Sequence, residues 1–119
     1  MRAFATVFTF GLLLLAAIVW AGDGYQISGK SGVMHFVSIS DSAKDNEDVY
    51  RFAVAEICAG KAICQVQFWV GVAPSKFPLT DDQVNSKLVH WQQNLKTGLR
   101  RWLVNCNATA IFMSDRSCM

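Results

Sequence analysis

Histidine, proline and net charge are all scarce in this chain, and each scarcity removes a class of function. Two histidines in 119 residues, His35 and His90, leave little imidazole for a metal cluster or a proton relay. Neither is spaced for zinc, and no Cys-x-x-Cys pair exists. The two prolines, Pro74 and Pro78, fall in one segment, so the irregular backbone they impose is confined to Ala73–Leu79. Eleven Lys and Arg stand against nine Asp and Glu, a formal net charge of +2. That is no basic excess for nucleic acid, and no polybasic run offers itself to an anionic membrane surface. Internal repeats, linkers and low-complexity tracts are absent, and no serine sits in a G-x-S-x-G elbow. Nothing calls for a cofactor or a metal, and no residue is assigned a catalytic role.

One long apolar run is present. Arg2 supplies a positive n-region, Phe4–Val19 is almost wholly apolar, and Val19 and Ala21 occupy the −3 and −1 positions before polar Gly22-Asp23-Gly24. This is the anatomy of a secretory signal peptide over residues 1–21, cleaved after Ala21. The competing reading is a retained Phe4–Trp20 anchor, since the run sits near the lower limit of roughly 17–20 residues for a membrane span. Cleavage leaves residues 22–119 as a single, nearly neutral domain with a modest core. All four cysteines, Cys58, Cys64, Cys106 and Cys118, lie in that part, and in an oxidising compartment an even number implies two disulfides. Cys58–Cys64 and Cys106–Cys118 are preferred because each closes a local loop. Cys64–Cys106 stays open if the strands carrying them are neighbours.

The clearest strand runs from Cys64 to Val72. Cys64, Val66, Phe68, Val70 and Val72 share one face, and Gln65, Gln67, Trp69 and Gly71 the other. Tyr25–Ser28 and Val33–Ser40 are strand-like, with Gly29–Gly32 between them as a turn. A helix over Val49–Cys58 is expected, capped by Ser42 or Asp45, with Val49, Phe52, Ala53 and Ile57 inward and Gly60 closing it. Thr80-Asp81-Asp82-Gln83 is a capping box, flanked by a Leu79/Val84 staple. It opens a second helix carrying Val84, Leu88, Trp91 and Leu95 on one face, closed by Gly98. Leu99–Cys106 is a further strand, and Ala108–Met113 a short edge strand tied back through Cys118. The expected fold is α+β: a small, disulfide-stabilised two-layer sandwich in β-α-β-α-β order, two helices on one face of a three- to four-stranded sheet.

Several motifs carry less chemistry than their pattern suggests. Gly24–Ser31 satisfies GxxxxGK[ST], but a P-loop needs a buried strand before it and a helix directly after it, and the residues that follow are β-prone. Asp81 and Asp82 are explained as acids in a first helical turn. Cys58 would lie at a helix C-terminus, where the dipole opposes a reactive thiolate. Arg100-Arg101 alternate on a strand, which puts one of them outward. Asn107-Ala108-Thr109 is a glycosylation sequon, meaningful only in a eukaryotic secretory pathway. What remains is surface. If helices cover one face of the sheet, Trp69 with Gln65 and Gln67 looks outward as a site for sugars or peptides, unless the N-terminal strand or the tail covers it. Phe77, between the prolines, is a second exposed aromatic.

The pattern Ile57-Cys58-Ala59-Gly60, Cys64-Gln65-Val66-Gln67-Phe68-Trp69, Pro78-Leu79-Thr80-Asp81-Asp82-Gln83 and Trp102 to Cys106 resembles a group of small exported proteobacterial proteins of uncharacterised function. The resemblance covers roughly the second half of the chain. It implies a bacterial envelope location, brings no catalytic residues, and would make the sequon accidental. The expectation is a secreted or periplasmic domain, not an enzyme, that binds a protein or envelope component. It would meet a membrane only if its N-terminal segment is retained. The alternatives are a thiol–disulfide protein using Cys58 and Cys64, and a membrane-tethered accessory subunit.

Overall fold

The computed structural model describes residues 24–111 and 115–119. The expected leader, with its cleavage site at Ala21, lies outside them. The elements are β1 (Tyr25–Ser31), β2 (Met34–Ile39), α1 (Glu47–Ile57), β3 (Ile63–Val70), α2 (Asp81–Ser86), β4 (Val89–Asn94), β5 (Leu99–Val104) and β6 (Arg116–Cys118). All strands join one sheet in sequence order; β2/β3 and β5/β6 are parallel and the other pairs antiparallel. The domain is α+β, as the pattern predicts, but its sheet has six strands rather than three or four. Its two helices also lie on opposite faces.

The first face carries the main core. Val37 and Ile39 of β2, Val66 and Phe68 of β3, Val89 of β4 and Val104 of β5 are fully buried there with Cys64. The helix α1 is the crossover between parallel β2 and β3 and covers this face with Tyr50, Ala53, Val54 and Ile57. The buried stripe differs from the one expected. Tyr50 is inside, its ring edge-on to Phe68 with centroids 4.9 Å apart, while Phe52 is 49% exposed. Tyr50 Oη also donates to Lys44 O at 2.7 Å, so the one polar atom of this large side chain has a partner. The cap is Asn46, whose Oδ1 accepts from Asp48 N–H at 3.0 Å. Neither expected cap serves, because Asp45 is taken by the C-terminal segment. Its Oδ1 accepts from Ala110 N–H at 2.8 Å and lies 3.0 Å from Thr109 Oγ1. Those donors hold the Asp45 carboxyl below its usual range.

The second helix is the largest departure. The capping box forms in full, Thr80 Oγ1 accepting from Gln83 N–H and Gln83 Oε1 accepting from Thr80 N–H. The helix nevertheless ends at Ser86, and the residues expected to continue it become β4. Trp91 fits both patterns, but Val89, Trp91 and Gln93 also alternate, and as a strand they gain hydrogen-bonded neighbours on both sides. Gly98, at φ +82°, then closes the β4–β5 hairpin rather than a helix. Its turn is braced by Asn94 Oδ1, which accepts from Lys96 N–H at 3.0 Å.

On the second face a smaller cluster of Met34, Phe36 and Trp69 packs under Ala73 and Leu79 of the β3–α2 connection. Gly29 is where that connection meets β1. A Cβ there would lie 2.1 Å from Ser75 O, so no side chain fits. The expected Gly29–Gly32 turn is correspondingly shorter: β1 runs on to Ser31 past a register shift between Ile27 and Gly29, and the chain reverses at Gly32.

The disulfides are Cys58–Cys64, joining the end of α1 to β3, and Cys106–Cys118, joining β5's exit to β6. The edge strand lies at Arg116–Cys118 rather than within Ala108–Met113, of which residues 112–113 lie outside the described set. We predict that Gly29→Ala costs about 1–3 kcal/mol in chemical denaturation by overpacking against the Ser75 backbone. Faster proteolysis within Gly71–Leu79 should accompany the loss; an unchanged denaturation midpoint would contradict the contact.

Candidate functional site

The surface singled out by sequence is largely closed. Trp69 does lie opposite the main core, but it is 2% exposed, and its indole N–H donates to Gln83 O of α2 at 2.8 Å. Neither the N-terminal strand nor the tail covers it: α2 and the proline-containing connection do, through the indole bond to Gln83 O and the packing of Ala73 and Leu79. Gln67 is buried beside it, and Gln65 is half-buried with Oε1 2.8 Å from His90 Nε2. Phe77 is 46% exposed and meets Phe36 edge-on with centroids 5.2 Å apart. The four residues share a region but present no continuous aromatic platform.

The histidines lie on opposite faces, and burial lowers the proton affinity of both. Burial, with Lys87 and Arg101 adding their charge, pushes His90 down to about 4. His35 is also lowered, chiefly by burial; its Nδ1 lies 3.2 Å from Gln65 O, a carbonyl that only accepts, so Nδ1 carries the proton. Cys64 Sγ is 3.9 Å from the same nitrogen, but Cys64 is fully buried within its disulfide. The four cysteines are all in disulfides, and among the described residues no group of three or more His, Cys, Asp or Glu is placed to hold a metal. The Gly24–Ser31 pattern lies along β1, with no helix directly after it.

The main groove lies on the first face, where α1 stops short of β5. Its cavity volume is about 770 Å³, and it runs between α1 and the β4–β5 hairpin. Trp91 and Trp102 are register partners on β4 and β5 and form its floor, with ring centroids 4.7 Å apart. Each carries a guanidinium. Arg51 of α1 lies 5.6 Å from the Trp102 centroid, and Arg100 of β5 lies 5.5 Å from that of Trp91. Stacked in this way, an arginine keeps its N–H fork in a fixed orientation.

Polar contacts hold the walls. Trp91 Nε1–H donates to Gln93 Oε1 at 3.2 Å, and Gln93 Nε2 donates to Lys61 O at 2.8 Å. Arg51 Nε meets Glu47 Oε2 at 2.7 Å and its Nη2 meets Asp115 Oδ1 at 3.0 Å. Arg51 is therefore locked, and the two carboxylates keep it charged. Arg100 and Arg101 are both exposed, on opposite faces, because α1 does not reach the start of β5. Sequence reading missed this site. Its one legible trace is that Arg100 and Trp102, two apart on a strand, share a face.

Compared with known proteins, the chain matches no family model, no curated protein and no solved structure.

The buried histidines set a pH response. Folding depresses their affinity for a proton, so the unfolded chain binds protons that the folded one does not, and stability falls as pH drops from about 6.5 towards 4. For His90 alone the loss is roughly 3 kcal/mol. His90→Gln should flatten the denaturation midpoint across that window; an unchanged slope would mean that the imidazole is not desolvated.

Proposed function

We propose that the protein is a disulfide-stabilised binding domain, exported to the periplasm or outside the cell after cleavage near Ala21, which holds a protein or envelope component without transforming it. The groove between α1 and the β4–β5 hairpin is its binding site. The observation that carries this reading is the pair of guanidiniums braced on Trp102 and Trp91 in an open cavity of about 770 Å³. Oriented charged donors over a rigid apolar floor are the features that make concave sites selective. Export is supported by the signal-like N-terminus and by the two disulfides, which mark an oxidising, non-cytoplasmic environment.

A thiol–disulfide activity has less support. Cys58 lines the groove and His35 lies near Cys64, yet Cys58 caps the C-terminus of α1, where the dipole disfavours a thiolate. No helix among the described residues is long and apolar enough to cross a membrane. A retained Phe4–Trp20 anchor would tether the domain and leave the groove as it is.

Immobilised protein, offered an envelope extract, should retain a component that Arg100→Glu loses and Arg101→Glu keeps, eluted with its mass unchanged. Retention insensitive to Arg100, or a chemically altered eluate, would sink the reading.

A further inference from the structure

The groove's charges are unevenly engaged. At the β6 end Arg51 already has two carboxylates, Glu47 and Asp115. At the hairpin end the cations are Arg100 and Lys61, and the ion pairs among the described residues engage neither. Gln93 draws these two together: it is the register partner of Arg100, and its side chain is bonded to the Lys61 carbonyl. Lys61 Nζ donates to Ile57 O at 3.0 Å, which fixes one of its three protons and leaves the others for a ligand. Next to them lies apolar surface, the exposed Ala55 of α1 and the 48% exposed Leu95 of the hairpin turn.

We infer that the hairpin end of the groove takes an acidic peptide segment, a carboxylate on Arg100 and Lys61 and an adjacent apolar side chain against Leu95. The inference rests on the binding reading above and names the class of occupant. Charge complementarity selects an anion: with Arg51 matched by Glu47 and Asp115, the cations that remain in the groove lining are Lys61 and Arg100. The floor selects peptide over sugar. A sugar ring stacks on an open aromatic face, and here Trp91 and Trp102 are 5% and 3% exposed, their rings beneath guanidiniums. What is open is a guanidinium fork, which matches a carboxylate, beside aliphatic carbon, which matches a leucine-like side chain.

The test is fluorescence anisotropy of a dye-labelled octapeptide of alternating Leu and Glu on the full domain with its disulfides intact. Its Leu/Gln counterpart serves as the neutral control, and oligogalacturonate and inorganic phosphate as competitors. The Leu/Glu peptide should bind at least tenfold more tightly than the Leu/Gln peptide, and more weakly as salt rises. Arg100→Gln and Lys61→Gln should each weaken it roughly tenfold. Arg101→Gln, on the other face, should leave it unchanged, and all three variants carry exposed substitutions whose folding is checked by their melting temperature. Equal binding of the neutral peptide, or equal losses in Arg100→Gln and Arg101→Gln, would overturn the inference. So would failure of the Leu/Glu peptide, whether or not oligogalacturonate binds. If Arg100-dependent retention of an envelope component persists beside such a failure, the binding domain stands and only its occupant was misassigned.

Discussion

One short helix has to cover a wide sheet, and most of the molecule follows from that mismatch. Eleven residues of α1 span about 16 Å, and a helix is about 10 Å across. Six strands at about 4.8 Å spacing span roughly 24 Å. Because α1 is the crossover between β2 and β3, it sits over that pair, and the β4–β5 half of the face must be shielded otherwise. Part of the shield is the stretch ending at Ile111, which Thr109 anchors to the start of α1. The rest is a tryptophan pair roofed by arginines. The groove is therefore the margin of the core, where burial of large aromatic rings meets water and only a side chain with an apolar stem and a charged head satisfies both.

The opposite face solves the same problem with different materials. The β3–α2 connection folds over Phe36 and Trp69, and α2 supplies a carbonyl to the indole. Further along, Gln65 meets His90, and Arg101 Nε donates to Gln92 Oε1 at 2.6 Å, so amide side chains line the middle of the sheet. Gln67 Oε1, buried among them, has no hydrogen-bond partner among the described residues. Trp69 is closed over by α2 and its connection, whereas the arginine-capped tryptophans border an open cavity.

Local signals were legible where one interaction decides the conformation. The alternation Cys64–Phe68, the Thr80–Gln83 capping box, the left-handed Gly60 and two short-range disulfides all concern residues a few positions apart. The strand's outer end was overestimated: Gly71 stops it, and Val72 is 95% exposed. Leu88 and Trp91 could serve a helix or a strand, and the choice fell to β3 and β5, which lie far away in sequence. The groove was invisible for a related reason. Arg51, Lys61, Trp91 and Arg100 come from four parts of the chain, and only the β4–β5 register and the crossover of α1 bring them together. Trp69 misled because its face was rightly inferred but its cover was not.

The two rims of the sheet are unlike its centre. At one rim β1 breaks register between Ile27 and Gly29 and carries Lys30; at the other β6 has three residues and is fastened to the exit of β5 by Cys106–Cys118. Neither gives an approaching chain a long, straight row of backbone donors and acceptors. A six-stranded sheet could in principle recruit a seventh strand from a neighbour and grow into a fibre. This one carries its own terminators, so the domain can be concentrated without its sheet becoming a template.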